Sequence, residues 1–235
     1  MEYRYGKNMN YDDFASGRVF YHVKGITNFP ARLAQEIFGR CLEYTKKKEN
    51  LCIYDCCCGG AYMLTVLGFM NAGVISRITG SDINPDAVGV ARRNLELLQV
   101  GGMDNRIKEI RKLAATYGKQ SHEEAEQSCL RLRRLIENYE ISTDTFIANA
   151  LEGLSLDRVP DIIITDVPYG DLVTWEGSES GSVNRLLDNL YNMCGSDTVI
   201  GICMDKSQKN THGQFRRLER QQLGKRRFEI LKKVG

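Results

Sequence analysis

From residue 51 onward the chain alternates short apolar runs with amphipathic stretches. LCIYD (51–55), ISRITGSD (75–82), TDTFIAN (143–149), PDIIITD (160–166), DTVIGICMD (197–205) and RRFEILKK (226–233) read as strands. Residues 61–72, 86–100 and 183–193 carry helical periodicity between them. Alternation of this kind predicts an α/β protein with a Rossmann-like, mostly parallel sheet covered by helices on both faces. Right-handed crossovers then fix the order of assembly.

One interval is too long for a simple crossover. Met103, Ile107, Ile110, Ala114 and Tyr117 recur at spacings of four and three, and Gly118 is placed to end that helix. Ser121 to Glu124 reads as a capping box, followed by a second stripe of Ala125, Cys129, Leu132 and Ile136. A helical hairpin inserted at about 103–138, between the second and third strands, is therefore expected. Its outer face, with Lys108, Arg111, Lys112, Arg131 and Arg134, reads as a solvated surface, RNA contact being the alternative.

The first 50 residues lack the α/β repeat and are expected to form an arm and helix packed on the core that residues 51–235 supply. The arm mixes Tyr3, Tyr5, Tyr11, Phe14, Phe20 and Tyr21 with Arg4, Lys7, Arg18 and Lys24. Such aromatics either stack on nucleic-acid bases or anchor the arm to the core. A helix is predicted from about Asn28, with Pro30 near its first turn and Ala34, Ile37, Phe38 and Leu42 on one face.

At 235 residues the chain suits one core with an elaboration better than two full domains. Its 42% hydrophobic and 26% charged content is that of a water-soluble protein. No apolar run approaches the roughly 18–20 residues of a membrane span, and the first residues lack a secretory apolar stretch. A cytoplasmic monomer with no membrane partner is the expectation. Cys52, Cys56, Cys57 and Cys58 crowd one strand end, too close to pair with one another and without the spacing of a zinc site. Reduced, buried thiols and no metal are expected. The net charge of +2 hides an asymmetry, because residues 206–233 hold ten Lys or Arg against two Glu. Such a stretch is either a polyanion-binding edge or a solvated basic helix face.

The chemistry concentrates at strand ends. In Ile53-Tyr-Asp-Cys-Cys-Cys-Gly-Gly-Ala-Tyr62 a strand delivers Asp55, then turns tightly through Cys57, Gly59, Gly60 and Ala61 into an apolar helix. Small residues let the backbone approach a ligand, and the helix start offers free N–H groups. The glycine spacing of a dinucleotide site fails, and Asp55 would repel a pyrophosphate. It suits instead a ligand with an ammonium group, such as the methionine end of S-adenosylmethionine. Asp82, 27 residues on and followed by Ile83, sits where a carboxylate takes both ribose hydroxyls. Its alternative role is to favour a helix start before Pro85. Asn149 and Ala150 follow the third strand, where an adenine edge is contacted, although Asn also simply terminates strands.

The fourth strand ends Asp166-Val-Pro-Tyr-Gly170: a carboxylate, a stiffened loop and a ring at the carboxyl end of the sheet. Here the chain resembles the class I methyltransferases of exocyclic and ring nitrogens, whose motif is Asp/Asn/Ser-Pro-Pro-Tyr/Phe. Asp166, Pro168 and Tyr169 match it, and Val167 replaces the first Pro. Ala61 likewise stands where that family usually has Gly. Together with Ser16-Gly-Arg-Val19, Phe29-Pro-x-Arg-Leu-Ala34 and Thr174-Trp175-Glu176, these motifs resemble the avilamycin-resistance rRNA methyltransferase family, AviRa.

The resemblance implies S-adenosylmethionine as methyl donor and a guanine of 23S rRNA as acceptor, free or within the large subunit. Asp166, also lying against the donor, and the Val167 carbonyl would accept hydrogens from guanine N1 or N2. Tyr169 would stack on the base, with Trp175 as a second wall or a core residue. Residues 177–182 would form a lid or a linker. Arg18, Arg216, Arg217, Arg226 and Arg227 are the expected RNA contacts. A DNA adenine, a tRNA base or a protein glutamine remain alternative acceptors, and an RNA-binding protein without catalysis is the alternative of another class.

Overall fold

The structure, a computed structural model, describes residues 1–15, 17–23, 25, 28–167, 182–208 and 210–234. The strands are β1 (Leu51–Asp55), β2 (Ile75–Asp82), β3 (Ser142–Ile147), β4 (Ile162–Asp166), β5 (Val199–Asp205), β6 (Phe215–Leu223) and β7 (Arg226–Lys233). They form one sheet in the order β3-β2-β1-β4-β5-β7-β6. The first five strands run parallel, and β7 and β6 close the far edge as an antiparallel ribbon. The α/β expectation is met.

Helices α1 (Ala31–Tyr44), α2 (Tyr62–Met70) and α3 (Pro85–Glu96) pack on one face of the sheet, and α6 (Ser182–Met193) packs on the other. The alternation within β1 shows why both faces close. Ile53 joins the core beneath α1 and α2, while Tyr54 joins Leu186 and Leu190 of α6. Pro30 precedes α1, and Asn84 caps α3 by accepting the N–H groups of Asp86 and Ala87.

The inserted hairpin consists of α4 (Val100–Tyr117) and α5 (Gln120–Ile136). Gly118 ends α4 in a left-handed conformation, φ 59°, with its N–H on the Ala114 carbonyl. The capping box does not form. Helix α5 begins at Gln120 after Lys119, so Ser121 lies inside the helix. Part of the hairpin's basic face is already neutralised. Arg111 pairs with Glu126, and Arg131 reaches back to Asp13 of the arm.

The arm settles the choice left open for its aromatics in favour of anchoring. Phe14 and Phe20 are buried against Phe69 and, for Phe20, Tyr62. The N–H groups of Arg4, Tyr5 and Gly6 all donate to one oxygen of Glu36, which is fully buried and also takes Arg40. These donors hold the Glu36 carboxyl below its ordinary range although burial pushes the other way.

The basic stretch 206–233 is no helix face. It forms β6 and β7, with a register shift between Arg217 and Glu219. Strand β6 escapes hydrophobic pattern reading because FRRLERQQL is an edge strand whose charges keep it from pairing further. Seven of the eight cysteines are buried, and Cys57 is partly exposed. Among the described residues no helix is long and apolar enough to cross a membrane.

Candidate active site

Strands β2, β1 and β4 are neighbours and parallel, so their carboxyl ends bring Asp82, Asp55 and Asp166 to one edge of the sheet. The turn after β1 is wound onto two of these carboxylates. Cys57 donates its N–H to Asp55 Oδ1 at 3.0 Å, and Gly59 donates to Asp82 Oδ2 at 2.8 Å. Cys58 N–H meets the Ser81 carbonyl at 2.9 Å. Gly59 has φ 51° and Ala61 φ 55°, both in the left-handed region. A glycine is the ordinary occupant of such a position, and an alanine costs about 1 kcal/mol there. Ala61 accepts it at the start of α2, fully buried. Gly60 serves another purpose. A Cβ there would lie 2.8 Å from Val23 Cγ2 of the arm.

The charges of this edge are not balanced. Burial pushes Asp55 up to about 7, and the nearby Asp82 and Asp166 add to the effect, while the Cys57 N–H and Thr165 hydroxyl oppose it. Asp166 is pushed up to about 6 by burial, against the opposing influence of Arg226 and the Cys203 thiol. Its Oδ1 is buried with no hydrogen-bond partner. A sheet edge with three carboxylates and an unmet acceptor suits a ligand that carries positive charge together with hydroxyl or amino donors. S-adenosylmethionine has that chemistry, so the residues fit it.

Other expected positions fall differently. Ile83 follows Asp82 as an exposed apolar side chain. Strand β3 ends at Ile147, two residues before Asn149. The Asn149 amide is spent on a local turn, accepting from Leu151 N–H and donating to Glu152. Ala150 is buried. Val167 donates its N–H to the Cys203 carbonyl and buries its side chain, which fixes the first residue after Asp166. Pro168, Tyr169, Trp175 and residues 177–181 lie outside the described residues.

A model of the rRNA methyltransferase AviRa family matches residues 1–226 of the chain. The chain belongs to the AviRa family of rRNA methyltransferases. It is 34% identical over 222 residues to the 23S rRNA (guanine(2535)-N(1))-methyltransferase of Streptomyces viridochromogenes, covering 91% of this chain and 88% of that protein. A solved structure of the rRNA methyltransferase AviRa from Streptomyces viridochromogenes superposes with TM-score 0.87 at 30% identity, covering 99% of this chain and 96% of that one. The putative methyltransferase yhhF of Escherichia coli shares the fold, with TM-score 0.51 and 10% identity over 90% of each chain.

Within this AviRa-family chain, the five arginines read as RNA contacts have separate fates. Arg226 opens β7 opposite Asp205, at the edge where Asp166 ends, with its guanidinium 5.5 Å from the Phe29 ring centre. Arg227 points to the other face of the sheet, as strand alternation demands. It is buried, bonded to the Gln208 and Lys206 carbonyls and paired with Glu229 at 3.2 Å, which corrects its assignment to the surface. Arg18 pairs with Glu124 of α5 at 3.1 Å. Arg216 and Arg217 are exposed, but pair with Lys232 and Leu231 near the opposite end of the sheet. They lie about 10–13 Å along the strand from the row of Asp166, counting three and four residues of β7.

Sequence reasoning missed Asn94, which is buried in α3 and bonded to the Gly60 carbonyl at 2.7 Å. Its signal was present: Ala87, Ala91 and Asn94 share one helical stripe, and an amide on an otherwise apolar stripe needs partners.

Proposed function

We propose that this AviRa-family methyltransferase transfers the methyl group of S-adenosylmethionine to a guanine ring nitrogen, N1, in 23S rRNA. The observation that carries the reading is the buried, unpartnered Oδ1 of Asp166 at the end of β4, beside Asp55 and Asp82. The Streptomyces viridochromogenes relative named for guanine N1 of 23S rRNA supports this acceptor.

S-adenosylmethionine supplies an already activated methyl group when bound, so the protein's task is alignment and charge. Asp55 would accept from the ammonium of the donor, and Asp82 would accept from the ribose hydroxyls with the lone pairs left by Gly59 and Asn84. Asp166 and the Val167 carbonyl accept from the guanine N1–H and N2 amino group. The carboxyl of Asp166, at about 6, is ionised at neutral pH yet basic enough to take up the N1 proton. Tyr169 and Trp175 are assigned to the walls around a base that has left its stack.

On the RNA side, Arg226 forms a corner with the exposed Lys206 and Lys225, whose backbones are bonded Lys206 N–H to Lys225 carbonyl at 2.9 Å. A corner of three cations beside Asp166 suits the phosphates flanking the target base.

The test is incubation with isotopically labelled S-adenosylmethionine and 23S rRNA, free and in large subunits, followed by nucleoside mass spectrometry. Label in N1-methylguanosine at one position is expected. Label confined to another base, to protein or to no product contradicts the proposal.

A further inference from the structure

The arm residues Val19–Val23 lie against the turn that the preceding reading assigns to the methyl donor. Asn94 joins the two. Its Nδ2 donates to the Gly60 carbonyl at 2.7 Å and to the Tyr21 carbonyl at 3.0 Å, and its Oδ1 accepts the Tyr21 N–H at 2.8 Å. The side chain is 1% exposed, so water offers no substitute for these bonds.

The arm is itself firmly held on both sides of this junction. Arg106 donates to the Val19 carbonyl, and the Tyr21 ring lies beneath Arg93 and Arg106 with its hydroxyl on Glu109. Phe20 stacks on Phe69 and meets the edge of Tyr62, the first residue of α2. Two residues beyond Tyr21, Val23 leaves no room for a Cβ on Gly60. Gly60 is thus demanded by the arm, whereas Gly59 and Ala61 carry the positive φ values of the turn.

We propose that the arm segment Val19–Val23 is a wall of the methyl-donor site, and that Asn94 is the positioning residue holding Gly60, and through it the Gly59 N–H, in register with Asp82. The proposal rests on the donor reading of the turn. Asn94 touches no reacting atom and acts through the backbone it holds.

The experiment compares Asn94→Ala, Gly60→Ala and the double variant Gly60→Ala/Val23→Ala with the unaltered full chain. Each is measured for S-adenosylmethionine affinity by calorimetry, KM and kcat on 23S rRNA, and amide hydrogen exchange of Gly59–Ala61 in ligand-free protein. Asn94→Ala leaves buried polar groups unpaired and should weaken donor affinity about tenfold, raising KM for the donor with kcat little changed. Exchange at the turn should speed up while distant strands stay protected. Gly60→Ala should weaken the donor similarly, and Val23→Ala in the same chain should restore most of the loss by removing the opposing methyl.

Unaltered donor affinity in Asn94→Ala, or a Gly60→Ala defect that Val23→Ala does not relieve, would overturn the proposal. An unaltered protein that binds no S-adenosylmethionine would instead overturn the donor reading of the turn. The exchange data would then still decide the positioning role, since unchanged protection at Gly59–Ala61 in Asn94→Ala contradicts it.

Discussion

The parallel half of the sheet and its antiparallel edge both carry buried charge, and they treat it in opposite ways. On β7 and β6 every buried ion described has partners. Glu229 faces Arg227, with Arg217 and Arg220 within 4.0 Å, and Glu219 takes Arg40 and Tyr44. At the ends of β1 and β4, Asp55 is buried beside the negative charges of Asp82 and Asp166, and one oxygen of the half-buried Asp166 is itself buried with no partner. Burying an ion pair is roughly neutral when its bonds are complete, whereas leaving a buried carboxylate unmet costs stability. The fold leaves a carboxylate oxygen unmet at the Asp166 edge, and that edge is where a cationic ligand and a guanine would complete the bonds. The ribbon holds more arginines, and its Arg227 Nε also lacks a hydrogen bond, but that atom lies 3.2 Å from the Glu229 carboxylate, whereas Asp166 Oδ1 is a carboxylate oxygen left for a ligand to meet.

The contrast breaks most visibly through Asp166. Asp166→Ala should lower methyl transfer by about 10²-fold or more, the range of a lost proton acceptor. Donor affinity by calorimetry should change far less, and an equal loss of both would deny Asp166 its separate role toward the base. The complementary substitution is Glu229→Ala. It strands the Arg227 guanidinium in a buried position beside Arg217 and Arg220, and should destabilise the fold by about 3–5 kcal/mol in urea unfolding. Activity per folded molecule should survive, because Glu229 lies on the face away from Asp166. A stable but inactive Glu229→Ala protein would invert the contrast.

A smaller effect separates the two groups of surface cations. Neutralising Lys206, Lys225 and Arg226 should flatten the salt dependence of rRNA binding by about 0.7 in logarithmic slope for each phosphate left without its cation. Neutralising Arg216 and Arg217 should leave the slope near that of the unaltered protein. The reverse pattern, read from filter binding at several salt concentrations, would move the RNA path to the other end of the sheet.

Much of this architecture is legible in the sequence. Strands β1 and β4 announce themselves as apolar runs stopped by an Asp, because a strand buried on both faces has to be apolar until it reaches the edge, and the more polar β2 ends on an Asp as well. Asp55, Asp82 and Asp166 therefore stand out together with their likeness to nucleic-acid methyltransferases. Strand β6 does not, since an edge strand needs few apolar residues and FRRLERQQL buries mainly Phe215. Strand alternation puts Arg226 and Arg227 on opposite faces, but which of them turns toward the Asp166 edge depends on register with β5, which no local pattern reveals. The start of α5 is misplaced for a similar reason. Ser121 and Glu124 have the spacing of a capping box, but after the turn at Gly118 the helix starts two residues sooner, with Lys119 at its cap. Asn94 is hidden by distance along the chain, with partners 34 and 73 residues away.

The claim that Asp55 receives the cationic end of the donor has a direct thermodynamic signature. Asp55 and Asp166 titrate at about 7 and about 6, above their ordinary value of 3.8. A carboxyl raised in this way binds more protons folded than unfolded, so the ligand-free protein should lose stability as pH rises from about 4 towards 7. A cation that pairs with ionised Asp55 should bind more tightly over the upper part of the same window and release protons as it does so. The measurement is calorimetric titration of S-adenosylmethionine between pH 5.5 and 7.5 in buffers of different ionisation enthalpy. The account predicts affinity rising by about tenfold across that range, with net proton release that shrinks as pH approaches 7.5. Affinity independent of pH, or proton uptake on binding, would contradict it.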